Sequence, residues 1–479
     1  MILIKDGRVV DPKSKTDEVR DLVLDGDTII NIGKFHRSDD YDRIIEAKGL
    51  IVAPGLVDVN THFGDPALDA EENLADGERA AFAGGYTTVV CRSGDAPALD
   101  DVRALCGMLA AARRRKLHIY TTAALTKGFL GSELSDMAAL KEHGAVGFTN
   151  GSSAIMDSHL MLEAMRAGSR LGIPVSVHDA DPSYVVDIGI NESAAAQELG
   201  LGGTPNLAED LMVARDCMLA LHSGCVVVIQ HVSSGASVDL IRMVQGMGAQ
   251  VVAQVAPHHF SLTDDEVRRV GPLAKTDPPL RGSKDRFEIL EGLRDGTLKI
   301  ISTDHCPNAN GDGDGPPAAT PAGASGAQGI QWASADGAPG AYGSTSDRFA
   351  AGASSDGAVA PSPAASDTAR AFRDAACGFV GLETALALSV THLVRKGHLT
   401  MWKLIQKMSL NPANLYHLDA GYIAEGAKAN LVIFSETESF TVTKGMFHSR
   451  ATNSPFIGQK LYGKVKYTIC DGDVVYQSI

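Results

Sequence analysis

The chain has 479 residues, 44% of them hydrophobic, so it can bury at least one large core, and length alone suggests about three domains. A formal net charge of −15 and a pI of about 5.4 give phosphate-backbone binding no electrostatic footing, so no nucleic acid is expected as a partner. The start "MILIKDGRVVDP" meets charge at Lys5, no stretch of about 18 apolar residues occurs, and the seven cysteines never form a CxxC pair; a cytoplasmic chain with reduced thiols and no membrane contact is expected.

In chain order, residues 1–52 alternate apolar and polar positions around Asp-Gly turns, as antiparallel hairpins do. From Gly55 onward eight short apolar runs alternate with helical stretches: "GLVDVNTH", "YTTVVCRSGD", "HIYTTAAL", "GAVGFTNG", "PVSVHD", "CVVVIQHVS", "AQVVAQVAPHH" and "LKIISTDH". Near-continuous apolar strands between helices mean a parallel sheet covered on its outer face. Eight in succession is an α/β fold, the (β/α)8 TIM-like barrel, whose reactive groups lie at the carboxyl ends of the strands. One intervening helix is read from Leu207, Leu211, Ala214, Met218 and Leu221, a stripe expected to face the core. Residues 308–370, rich in Gly, Ala, Ser, Pro and Asp, are expected to be a disordered low-complexity insertion after the eighth strand. Residues 420–479 again read as hairpins. Segments 1–52 and 420–479 are therefore expected to form one small β-sandwich domain from both chain ends, beside a barrel over 53–419.

The polar strand endings hold the candidate site. His62 ends the first strand, His178 the fifth, His231 the sixth and Asp304 the eighth. A catalytic zinc typically takes three N or O ligands plus a water that it acidifies, so these groups could hold one zinc ion. Each histidine alone reads as a core residue; three of them with an aspartate at four strand ends of one barrel point to a metal site.

The motifs "APGLVDVNTHFGDP", "GFTNGSSAIMD", "IPVSVHDAD", "LGGTPNLAEDLMVARD", "IQHVSS", "APHHFSLTDDE", "DPPLRG", "STDHCP", "GLETAL" and "NSPFIGQKLYGKV" resemble the dihydroorotase family of amidohydrolases. The resemblance spans nearly the whole chain outside the insertion. It implies hydrolysis of a cyclic amide C–N bond in pyrimidine biosynthesis, with His62, His178, His231 and Asp304 at ligand positions and Asp304 as catalytic acid/base. It also shows clustered departures. Asn60 stands where the family has a histidine ligand, and Asn150 and Gly151 stand where it has an aspartate pair. Gly64 replaces an arginine that grips the substrate, Gly94 replaces an asparagine, and Asp277 replaces another asparagine facing the substrate, while Arg92 is a candidate to compensate. At most one zinc ion is expected. Three readings follow: a non-catalytic homologue partnering aspartate carbamoyltransferase, a single-metal hydrolase of a cyclic amide, and an ordinary dihydroorotase. The first accounts for simultaneous loss at metal and substrate positions; the third needs the most replacements. A homo-oligomer is expected.

Overall fold

The computed structural model describes residues 1–35, 41–63, 70–92, 98–308 and 363–478. Five strands open the chain: β1 (Ile2–Asp11), β2 (Thr16–Asp25), β3 (Thr28–Gly33), β4 (Arg43–Glu46) and β5 (Ile51–Pro54). Eight more follow, alternating with helices: β6 (Leu56–Thr61), β7 (Tyr86–Cys91), β8 (His118–Ala124), β9 (Gly147–Thr149), β10 (Val175–Val177), β11 (Val227–Ile229), β12 (Val251–Val255) and β13 (Leu298–Ile301). The last three are β14 (Leu431–Thr441), β15 (Lys460–Cys470) and β16 (Asp473–Gln477).

Strands β6 to β13 pair in chain order, each parallel to the next, and all eight coincide with the apolar runs read from the sequence. The ring closes where Thr61 bridges His305 in parallel fashion and the His62 amide donates to the His305 carbonyl at 2.8 Å. The barrel is therefore joined beside the first and last site positions, not at its base.

The remaining strands form one sheet in the order β16-β15-β14-β5-β1-β2-β3, with β4 beside β1. Its pairs are antiparallel except β1 with β4 and with β5. The expected β domain from both chain ends is present as this single sheet. The β15–β16 turn shows why its Asp-Gly signal was readable: Asp471 and Gly472 take φ of 47° and 78°, the two left-handed residues a type I′ hairpin requires.

Two readings of the sequence need correction. On the helix Asn206–Ser223 the buried residues include Ala208, Glu209, Met212, Asp216 and Cys217, whereas Leu207, Leu211 and Met218 are exposed. The reason is polar: Glu209 accepts from the Ser233 and Ser234 amides at 3.0 and 2.9 Å, and Asp216 pairs with Arg215 at 2.8 Å, so two acids lie on the inner face. The second correction concerns 308–370. Residues 309–362 lie outside the described residues, but 363–370 open a helix, Pro363–Asp374, on which Ala369 and Phe372 are buried. Its end is held by buried Lys275, whose Nζ donates to the carbonyls of Phe372, Arg373 and Ala375 at 2.9, 3.0 and 2.7 Å. A cation bonding the last carbonyls is a favourable helix terminus.

Candidate active site

The parallel ring brings residues from six strand ends to one mouth. Asn60, buried on β6, donates its Nδ2 to Asp304 Oδ1 at 3.1 Å, and its own Oδ1 has no hydrogen-bond partner among the described residues. His62 follows β6 and is buried. His178 and His231, after β10 and β11, meet at 3.3 Å between Nδ1 and Nε2, their rings edge to face. His178 Nε2 lies 3.5 Å from Asp277 Oδ2. Arg92, after β7, donates to Gln230 Oε1 at 3.3 Å and to Ser152 Oγ at 3.1 Å.

Burial dominates the electrostatics. It lowers the pKa of His178, with Asp277 pulling the other way, and lowers His231 well below the ordinary range, where His178 and Arg92 add to the effect. Two neutral imidazoles in contact share one N–H, one ring donating and the other accepting. Asp304 keeps some solvent contact at the mouth, yet the surrounding walls push its carboxyl up; Arg92, His62 and His178 each pull it back.

His231 and Asp304 sit at φ of 31° and 52°, a region that costs a non-glycine residue of order 1–3 kcal/mol unless its surroundings impose it. Both are braced. Buried Asp58 accepts from the Thr303 amide at 2.8 Å and its hydroxyl at 2.6 Å, fixing the residue before Asp304. Glu209 fixes the loop after His231 through Ser233 and Ser234, and Arg281 adds a bond to Ser233 Oγ at 3.1 Å and to Asn191 Oδ1 at 3.0 Å.

The departed positions have taken structural work. Asn150 accepts from Thr126 Oγ1 at 2.6 Å and donates to the carbonyls of Phe129 and Ser153 at 3.2 and 3.1 Å, so its amide is fully engaged in its own loop. Gly151 takes a left-handed φ of 64° in the same turn. Gly64 and Gly94 lie outside the described residues.

These groups do not fit a paired-metal centre. Asn60 puts an amide nitrogen on Asp304 Oδ1, and Asn150 brings no carboxylate to bridge two ions; His178 and His231, with nitrogens 3.3 Å apart, keep the ligand-to-ligand spacing of one tetrahedral zinc with Zn–N of about 2.0–2.1 Å. Among the described residues no three His, Cys, Asp or Glu side chains converge as ligands. Of the four ligands expected from sequence, His178 and His231 touch, and Asp304 lies within electrostatic reach of both His62 and His178.

Residues 49–237 match the model of the dihydro-orotase-like family. The chain is similar to the dihydroorotase of Clostridioides difficile, 45% identical over the whole of both chains, and to that of Clostridium acetobutylicum, 39% identical over the whole of both. The chain belongs to the dihydroorotase family. Solved structures with the same fold include the L-hydantoinase of Arthrobacter aurescens, at a TM-score of 0.76 and 21% identity over 99% of this chain and 96% of that one. The dihydropyrimidinase of Brevibacillus agri follows at 0.75 and 19%, covering 99% and 95%.

In this dihydroorotase-family barrel the residues missed by sequence reasoning are the braces. Asp58 lies inside the quoted "VDVNTH" run and Arg281 inside "DPPLRG", so motif membership was the available signal. Gln230 and Ser152, which fix Arg92, also lie inside quoted motifs, "IQHVSS" and "GFTNGSSAIMD", but nothing local pairs them with Arg92, which is 138 and 60 residues away.

Proposed function

We propose that this member of the dihydroorotase family has given up paired-metal opening of the dihydroorotate ring and serves pyrimidine biosynthesis as a non-catalytic or weakly active partner of aspartate carbamoyltransferase. The observation that carries the reading is the bond from Asn60 to Asp304. Where the family resemblance puts an imidazole ligand, a neutral amide stands instead and donates to Asp304 Oδ1, so this carboxylate faces an amide rather than an ion and only Oδ2 is left for proton transfer. Asp277 adds to it: a carboxylate beside His178 at the mouth repels an anionic substrate.

A second reading, weak hydrolysis of a cyclic amide, is favoured by the survival of His178, His231 and Asp304 at one mouth and by the relatives' name. In it Arg92 seats the substrate carboxylate and Asp304 moves the proton at the ring nitrogen. A single zinc ion belongs to this reading only, with His178 and His231, their nitrogens 3.3 Å apart, as the pair that would hold it.

The deciding experiment is carbamoyl aspartate cyclisation and dihydroorotate hydrolysis by the purified full chain, with Asp304→Ala as control. Turnover at background level, together with co-purification of aspartate carbamoyltransferase, is expected. Turnover destroyed by Asp304→Ala overturns the non-catalytic reading in favour of the second.

A further inference from the structure

Away from the barrel mouth, a cavity of about 200 Å³ opens where the helix Leu382–Ser389 meets β14, β15 and β16. At about 30 Å³ per water it has room for roughly six or seven waters, or one small organic molecule. Its walls are apolar and aromatic, with Leu386, Phe440, Met446 and Tyr476 among them, and none of the site residues at the mouth lines it. It holds one acid, Glu383, and one base, Lys464, which turns to Glu438 at 3.3 Å.

Glu383 lies in the "GLETAL" motif, which the barrel mouth does not use, and is 8% exposed. Its Oε1 accepts from the His448 amide, while Oε2 has no hydrogen-bond partner among the described residues. That oxygen is the one left to meet a donor, from water or from a ligand in the cavity. Burial pushes this carboxyl up to about 8, and the charge of Asp76 adds to the shift, against the amides of His448 and Ser449. A cation beside it reverses that shift. The glutamate χ3 torsion is soft, so Oε2 can turn toward a donor entering the cavity.

The cavity depends on a glycine. Gly463 sits at φ 100°, and a Cβ there would come within 3.0 Å of Val390 and 3.2 Å of the Ala387 backbone, so a side chain would force sheet and helix apart.

We propose that this cavity is a second ligand site for a small organic ammonium compound, its apolar body against Phe440, Met446 and Tyr476 and its ammonium on Glu383. A carboxylate in a cavity also lined by Phe440 and Tyr476 suits a cation. Glu383 and Asp76 together disfavour an anion. The proposal is independent of whether the barrel mouth catalyses anything.

The test uses the full chain and three probes of similar size, benzylamine, benzamide and benzoate, titrated calorimetrically near pH 8. Benzylamine is expected to bind at millimolar concentration, with benzamide and benzoate weaker by about ten-fold or more, a difference of about 1.4 kcal/mol. Glu383→Gln removes the charge and is expected to weaken benzylamine to the level of benzamide. Thr441→Trp, at an exposed position on the cavity rim, is expected to abolish binding without touching the core and decides the matter if the first variant does not fold. No benzylamine binding, equal binding of benzamide, or binding indifferent to Thr441→Trp overturns the proposal.

Discussion

The amide of Asn60 reaches Asp304 at 3.1 Å across 244 residues of sequence, a bond from a neutral amide to a carboxylate that links the first barrel strand to the loop after the last at the mouth. Asn60→His returns an imidazole, a far better zinc donor than an amide oxygen, to a position facing Asp304. After equal zinc exposure and dialysis, elemental analysis is expected to find more zinc on Asn60→His than on the parent chain. Equal content in both would count against Asn60 as the residue that sets metal affinity.

His259 gives a pH signature. It is fully buried, its Nε2 faces the Pro278 carbonyl at 3.2 Å, and burial lowers its pKa to about 3. Below about pH 6.5 the unfolded chain takes up a proton that the folded chain refuses. The stability this residue contributes is therefore complete above pH 6.5 and is lost as pH falls toward 3, by about 1.4 kcal/mol per unit. His259→Gln keeps a side-chain N–H for Pro278 but cannot titrate. The stability difference between parent and variant, from denaturant unfolding, is expected to shift in the variant's favour by about that slope between pH 6 and 4. A pH-independent difference contradicts it.

Lys275 ties the helix Pro363–Asp374 to the barrel through three carbonyls, with Arg373 adding an exposed ion pair to Asp187 at 2.7 Å. Lys275→Met keeps the apolar stem and removes the charge. Stability is expected to fall by about 2–4 kcal/mol, because bonds to a charged donor are each worth about 1.5–3 kcal/mol net and are not fully additive. Trypsin cleavage at Arg370 and Arg373 is expected to quicken in parallel; unchanged cleavage would mean that other contacts hold the helix.

The helix Asn206–Ser223 offers a paired test of its orientation. Met212 is buried and Leu211 is 43% exposed. Met212→Ala is expected to cost about 2–5 kcal/mol, and Leu211→Glu about 0.5 kcal/mol or less. Thermal unfolding of the two variants suffices, and the reverse order would restore the orientation expected from the apolar stripe.

Much of this architecture was legible because its signals are local. Each barrel strand is a short apolar run that stops at a polar residue, and each stop lies at the mouth, so His178, His231 and Asp304 could be grouped before any distance was known. The Asp471-Gly472 turn was likewise written in adjacent residues. What sequence hid depends on distant partners. Glu209 and Asp216 face inward because Ser233, Ser234 and Arg215 receive them, which defeats an apolar-stripe argument on that helix. The helix Pro363–Asp374 was obscured by alanine-rich composition and by an anchor, Lys275, roughly a hundred residues earlier. The loss of a carboxylate at Asn150 was readable; its reuse as a loop clamp was not, since that rests on Thr126 and Phe129.

The terminal sheet imposes an order on biosynthesis. β5 pairs with β1 on one side and with β14 on the other, so one flank of β5 is without its neighbour until residues Leu431–Thr441 have been made. At about 5–20 residues per second the intervening barrel takes roughly 20–75 s to emerge, during which an open strand edge is a template for unwanted pairing. The nascent chain must therefore shield that edge, by early barrel collapse against it or by a chaperone, long before the last hairpin arrives to cover it.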